Sequence, residues 1–193
     1  MDLNEAIFHR RAVRRFSRRR LEPRLVEELL QAAVQAPSAL NLQPWAFGVL
    51  HGHGLLRDLS ARAKRHLVAT LEPAWEMCAR AGRYEDPGYD LFHGADTLVV
   101  IYAARGRLNP AGDCCLAAQN LMLAAHGRGL GTCPVGFACP WLNRPEIKRE
   151  FGVAESYTAV FALVVGHPDG IPDPVPRRAP EIVSWRWEEP PAT

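Results

Sequence analysis

The chain has 193 residues, 48% of them apolar and 23% charged, with a formal net charge of +2. That length buries one sizeable core, and the composition is that of an ordinary globular domain, which excludes a disordered chain. The near-neutral charge argues against a general polyanion binder, because acidic residues elsewhere offset an arginine-rich start.

Asp2 and Glu5 stand at capping-box spacing and Leu3, Ala6 and Ile7 follow at helical intervals, so a first helix delivers Arg10 and Arg11 at its end. Residues 9–20, HRRAVRRFSRRR, hold seven arginines. Glu22-Pro23 opens a second helix whose apolar face is Leu25, Val26, Leu29, Leu30 and Ala33, and Pro37 stops it. PSALNLQPW is a loop, and AFGVL (46–50) a short buried strand. Residues 55–81 read as helical with a break at Pro73, and 82–90 as a polar loop. TLVVIYA (97–103) is a second buried strand. A helix over 111–127 runs into the stop signal GRGLG. NRPEIKREFG (143–152) is a short helix capped by Asn143, with Glu146 at the box position, and YTAVFALVV (157–165) is the third strand. Beyond Gly166, HPDGIPDPVPRRAP carries five prolines in fourteen residues and must run extended. EIVSW (181–185) is a candidate last strand. The order of elements gives an α+β domain over 1–193, with 166–193 as an extended arm.

No stretch approaches 18 consecutive apolar residues, and the N-terminal MDLNEAIFHRR has no apolar signal core. The expectation is a soluble, cytoplasmic protein that engages no membrane. Cys78, Cys114, Cys115, Cys133 and Cys139 are odd in number and lack CxxC spacing, which reads as reduced, packed thiols and no metal site. His93 and His126 read as packed or surface side chains rather than ligands. Glycine-rich nucleotide motifs fail: in HGHGLLR the third glycine position holds Arg57, and the sequence has no P-loop.

The arginine run admits three readings. It is a solvated basic face, or a nucleic-acid arm, or a cradle in which Arg10, Arg11 and Arg14 converge on one phosphate from a bend between two helices. A nucleic-acid arm calls for a broader basic surface and stacking aromatics, and Phe16 is the lone aromatic inside the run.

RRAVRRF (10–16), LLQAAVQAP (29–37) leading into APSALNLQPW (36–45), AAQNLMLAAHGRGLGTCPVG (117–136) and GHPDGIPDPVPRRAP (166–180) occur in that order across residues 3–185. In this combination the chain resembles the FMN-dependent nitroreductase family. The resemblance implies a small mixed or antiparallel sheet wrapped by helices, in an interlocked homodimer with extended C-terminal arms and two FMN sites at the subunit interface. It implies that Arg10, Arg11 and Arg178 hold the flavin phosphate, with Ala12 in the same turn, and that Arg14 lies near the pyrimidine end of the ring. Pro37, Ser38, Ala39 and Asn41 would approach the flavin from the partner subunit, with Gln43 shaping their loop. Pro134, Val135 and Gly136 would present a backbone N–H to flavin N5. Arginines suit the phosphate, because charge-assisted hydrogen bonds contribute on the order of 1.5–3 kcal/mol each.

Three positions depart from the family pattern: Ala12 in place of a frequent serine, Pro176 in place of a lysine, and Asp96 in place of a proline. The implied activity is ping-pong. NADH or NADPH as co-substrate gives hydride to FMN, and a small electron-poor acceptor (a nitroaromatic, quinone or enone) takes the electrons, with no dedicated catalytic side chain. The implied substrate lid is 66–93, with Trp75, Met77, Tyr84 and Tyr89. A non-catalytic flavin-binding sensor or storage protein is the alternative, and neither form needs a nucleic-acid partner.

Overall fold

The computed structural model describes residues 2–70 and 84–187. Its centre is an antiparallel sheet of β1 (Trp45–His51), β2 (Thr97–Ala104), β3 (Gly131–Pro134) and β4 (Tyr157–Gly166), in the spatial order β1-β2-β4-β3. β2 reads as an uninterrupted apolar run because both of its faces are covered. Leu98, Val100 and Tyr102 point to one side, where α3 (His53–Thr70), α5 (Cys139–Leu142) and α6 (Pro145–Glu150) pack. Val99, Ile101 and Ala103 point to the other, against α2 (Pro23–Ala33) and α4 (Pro110–Gly127). Each fully buried Leu, Val or Ile contributes about 1.5–3 kcal/mol, so this three-layer arrangement carries the fold. Pairing passes from Ile101↔Phe161 to Tyr102↔Ala159, which leaves Val160 as the extra residue of a bulge in β4.

The helices start where their caps stand. α1 (Leu3–His9) is capped by Asp2, whose Oδ1 accepts from the Asn4 N–H at 2.7 Å, and it ends on Arg10. α2 opens with Pro23 and closes at Ala33, a turn ahead of Pro37. α4 ends in a Schellman motif: Gly129, with φ +71°, donates to His126 O at 2.9 Å, and the Leu130 N–H donates to Ala125 O at 2.9 Å. α3 is described as far as Thr70; the expected continuation to 81, the break at Pro73, and Trp75 and Met77 lie outside the described residues.

Three expectations need correction. Gly131–Pro134 is an edge strand where the sequence reads as a helix stop followed by a loop, because it is too short to show a period. The helix expected over 143–152 spans Pro145–Glu150 and its N-cap is Arg144. Asn143 instead bridges to β4, donating to Ala159 O and accepting from the Ala159 N–H, both at 2.8 Å. Residues 181–185 form no strand: Ile182, Val183 and Trp185 are exposed.

Asp96, at the start of β2, does structural work. It is buried; Oδ2 accepts from the Leu21 N–H at 2.8 Å and Oδ1 from the Thr97 hydroxyl at 3.0 Å. The carboxylate thereby fastens the chain entering α2 to the sheet.

Candidate functional site

The arginine run leaves α1 and lies along the exposed edge of the sheet. The Val13 N–H donates to Thr132 O at 2.9 Å, Ala12 bridges Thr132 in parallel, and the Ser17 N–H donates to His167 O at 2.9 Å. Val13 is buried, so alternation sends Arg14 outward while Arg10 and Arg11, in the turn before it, stay half-buried. The extended tail folds over the same segment, with the Asp169 N–H on Arg15 O at 3.0 Å. Arg18, Arg19 and Arg20 lie beyond and are exposed.

A cavity of about 310 Å³ opens between the end of α1, the end of α4 and the tail, and Arg10, Arg11, His126, Thr132 and Ile171 are among its walls. Arg11 Nη1 donates to Phe8 O at 2.7 Å and to Arg10 O at 2.9 Å, capping α1, while its buried Nε has no partner. Burial, then the charges of Arg177 and Arg11, lowers the Arg10 pKa from its ordinary value. Like charges gathered in a half-buried place are unfavourable without a counter-charge, so the cluster suits an anion. The charge of Arg177 in the tail acts on Arg10, while the exposed Arg177 guanidinium donates to Val175 O at 3.2 Å. Arg178, the expected phosphate ligand, is exposed like Arg177 and makes no hydrogen bond among the described residues.

Arg14 lines a second cavity, of about 100 Å³, together with Cys133, Pro134, Val135, Tyr84 and Phe137. The expected ring contacts, Arg14 and the 134–136 segment, are therefore neighbours. The Val135 N–H is donated to Ala162 O at 2.8 Å, which leaves the N–H of exposed Gly136 as the next donor. Burial pushes the Cys133 thiol up, so it stays protonated beside the arginines.

The loop 37–43 is folded tightly by its own polar groups. The Ser38 hydroxyl accepts from the Gln43 N–H at 3.0 Å, Asn41 Oδ1 accepts from Gln43 Nε2 at 3.1 Å, and Ala39–Asn41 forms a 3₁₀ turn. Leu40, Asn41 and Gln43 have φ of 51°, 54° and 44°, a left-handed cluster of non-glycine residues of the kind that marks functional loops. Pro37, Ser38, Ala39, Asn41 and Gln43 line neither arginine cavity. One subunit does not bring its loop and its arginines together.

The sequence model of the Nitroreductase family matches residues 7–167. The chain belongs to the nitroreductase family. A 4-nitrobenzoate reductase of Pseudomonas putida is 32% identical over 198 residues, covering 87% of this chain and 86% of its own. An NADH dehydrogenase of Thermus thermophilus is 30% identical over 207 residues, covering 96% of this chain and 97% of its own. A nitroreductase with bound FMN from Bacteroides fragilis shares the fold, with a TM-score of 0.79 at 21% identity over 98% of this chain and 100% of that one. The nitroreductase fold expected from the four sequence segments is thus the fold observed.

Two residues of this nitroreductase-family site carry no sequence signal. His126 reads as packed, yet it lines the arginine cavity from the last turn of α4. Asp113 sits in the first turn of α4, where acidic residues are common; it is buried, and its carboxylate accepts from the Ala39 N–H at 3.3 Å, tying the left-handed loop to the core. No helix among the described residues is long and apolar enough to cross a membrane.

Proposed function

We propose that this chain is an FMN-dependent oxidoreductase that uses NADH or NADPH to reduce a nitroaromatic or similarly electron-poor small acceptor. The observation that carries the reading is the arginine cavity. Arg10 and Arg11 line a space with an unpartnered Arg11 Nε, which fits a phosphate monoester. The relatives support the chemistry, one being a 4-nitrobenzoate reductase. When bound, FMN would supply the redox chemistry between the nicotinamide and the acceptor.

The chain's own residues bind and orient. Arg10 and Arg11 hold the phosphate, joined by a tail arginine, Arg177 or Arg178, and Ala12, without a hydroxyl, leaves that task to them. Arg14, beside Pro134 and Val135, favours negative charge at the pyrimidine end of the ring. The N–H of exposed Gly136 would be the donor to the ring at this end of β3.

The second half of the site comes from a second copy. Leu40 is 82% exposed at the tip of the left-handed loop, and α1 leaves Leu3, Ile7 and Phe8 exposed, as the tail does Trp185 and Trp187. So much apolar surface calls for a partner. A homodimer covers it and brings Ser38, Asn41 and Gln43 of one subunit to the arginines of the other. The decisive experiment is reconstitution: purified protein with excess FMN should retain about one flavin per subunit and then oxidise NAD(P)H with a nitrobenzoate. A folded protein that stays colourless in excess FMN contradicts the assignment.

A further inference from the structure

Among the described residues three buried side-chain nitrogens have no hydrogen-bond partner: Arg11 Nε, His53 Nε2 and His126 Nε2. Arg11 and His126 line the same cavity. An unpaired buried donor costs on the order of 1–3 kcal/mol, so two at one cavity mark a space that an acceptor-rich ligand completes. No carboxylate lines that cavity, and its tail wall, Pro168, Gly170, Ile171 and Pro172, carries no charge.

We propose that His126 is a further cationic ligand of the flavin phosphate, binding it as imidazolium beside Arg10 and Arg11. The inference rests on the FMN reading above. The groups facing His126 are Glu5 and His9 from α1, and Arg10 and Arg11 from the turn. Without an anion, burial and then the charges of Arg10 and His9 hold the imidazole below its ordinary value of 6.5 and therefore neutral. A phosphate dianion against it reverses that balance, and the ring takes up a proton as FMN binds.

The sign follows from linkage. His126 has a low pKa in the free protein and a raised one in the complex, so FMN affinity grows as pH falls through the raised value and levels off below the free one. The phosphate has its own second pKa of about 6, so the window open to test runs from about pH 6.5 upward. One coupled proton changes Kd by at most roughly tenfold per pH unit.

The test is a flavin titration of the full chain with FMN and with riboflavin, from pH 6.5 to 8.5, on the wild type, His126→Gln and His9→Gln. The FMN Kd of the wild type and of His9→Gln should rise several-fold over this range. That of His126→Gln should be nearly flat and weaker at pH 6.5, and riboflavin, without a phosphate, should be flat throughout. Calorimetry of the wild type at pH 7 in two buffers of different ionisation enthalpy should show proton uptake with FMN and none with riboflavin; this arm needs no variant to fold. A flat wild-type FMN curve, an unchanged slope in His126→Gln, or an equal slope with riboflavin overturns the assignment while leaving FMN binding intact. Absence of FMN binding at every pH overturns the FMN reading itself.

Discussion

A Cβ placed on Gly131 would stand 2.8 Å from the Cβ of Val13. The edge strand and the arginine segment are thus in contact through the one residue type that leaves room, and the Val13–Thr132 backbone bond depends on that approach. Gly131→Ala should push Val13 off the strand and cost about 1–3 kcal/mol of stability, the usual penalty of an overfilled contact. It should also weaken FMN binding, since Arg10, Arg11 and Arg14 move with Val13. Gly127→Ala, which meets nothing within 4 Å, is the control and should leave both unchanged or raise stability slightly. Denaturant midpoints and flavin titrations decide it; equal results for the two variants would show that the close contact does not position the turn.

Arg10→Ala combined with Arg177→Ala should reduce FMN affinity by on the order of 3–6 kcal/mol in binding free energy if both hydrogen-bond the phosphate, and riboflavin affinity much less. Arg18→Ala with Arg19→Ala removes as much charge from exposed positions and should change FMN binding only through screened, long-range attraction. A salt series separates the two effects. If both pairs lose the same amount, the phosphate lies elsewhere.

Asp96→Ala should destabilise the protein by on the order of 1–3 kcal/mol, because the Leu21 N–H is buried and loses its acceptor. Leu21 is held at the entry to α2, away from the arginine cavity, so the FMN Kd of the folded fraction should be unchanged. Thermal unfolding and flavin titration together check this, and a large loss of flavin affinity with unchanged stability would contradict the structural role.

How much of this was legible in the sequence depended on whether the signal was local. β2 announces itself because a strand covered on both faces must be apolar throughout, and α2 because Pro23 and the spacing of Val26, Leu29 and Ala33 act within one helix. Arg10 and Arg11 were placed correctly at the end of α1 for the same reason. β3 is four residues with glycine at one end and proline at the other, and its strand character comes from β4 and Val13, far away in the chain. Asn143 looks like a cap until Ala159 claims both of its amide atoms. The role of His126 is least legible of all, because a histidine near a helix end is ordinary until two unpaired nitrogens share one cavity.

The tail combines several of these relationships. Gly170, Ile171 and Pro172 wall the arginine cavity, Arg177 stands near Arg10, and beyond it Ile182, Val183, Trp185 and Trp187 are exposed, with Val183 at 93%. Prolines keep the segment extended and deny it a helix of its own, and none of the described residues buries those side chains. An extended apolar arm gains most by lying across a second copy, where it adds to the interface and stays in reach of the flavin site. Cutting the chain after Gly170 should therefore abolish the dimer and reduce FMN affinity together, while the sheet, which ends at Gly166, keeps its pairing. Sedimentation, flavin content and far-ultraviolet circular dichroism of the truncated protein measure the three consequences separately. A truncated protein that remains dimeric with full flavin occupancy would show that the arm is neither a clasp nor part of the phosphate site.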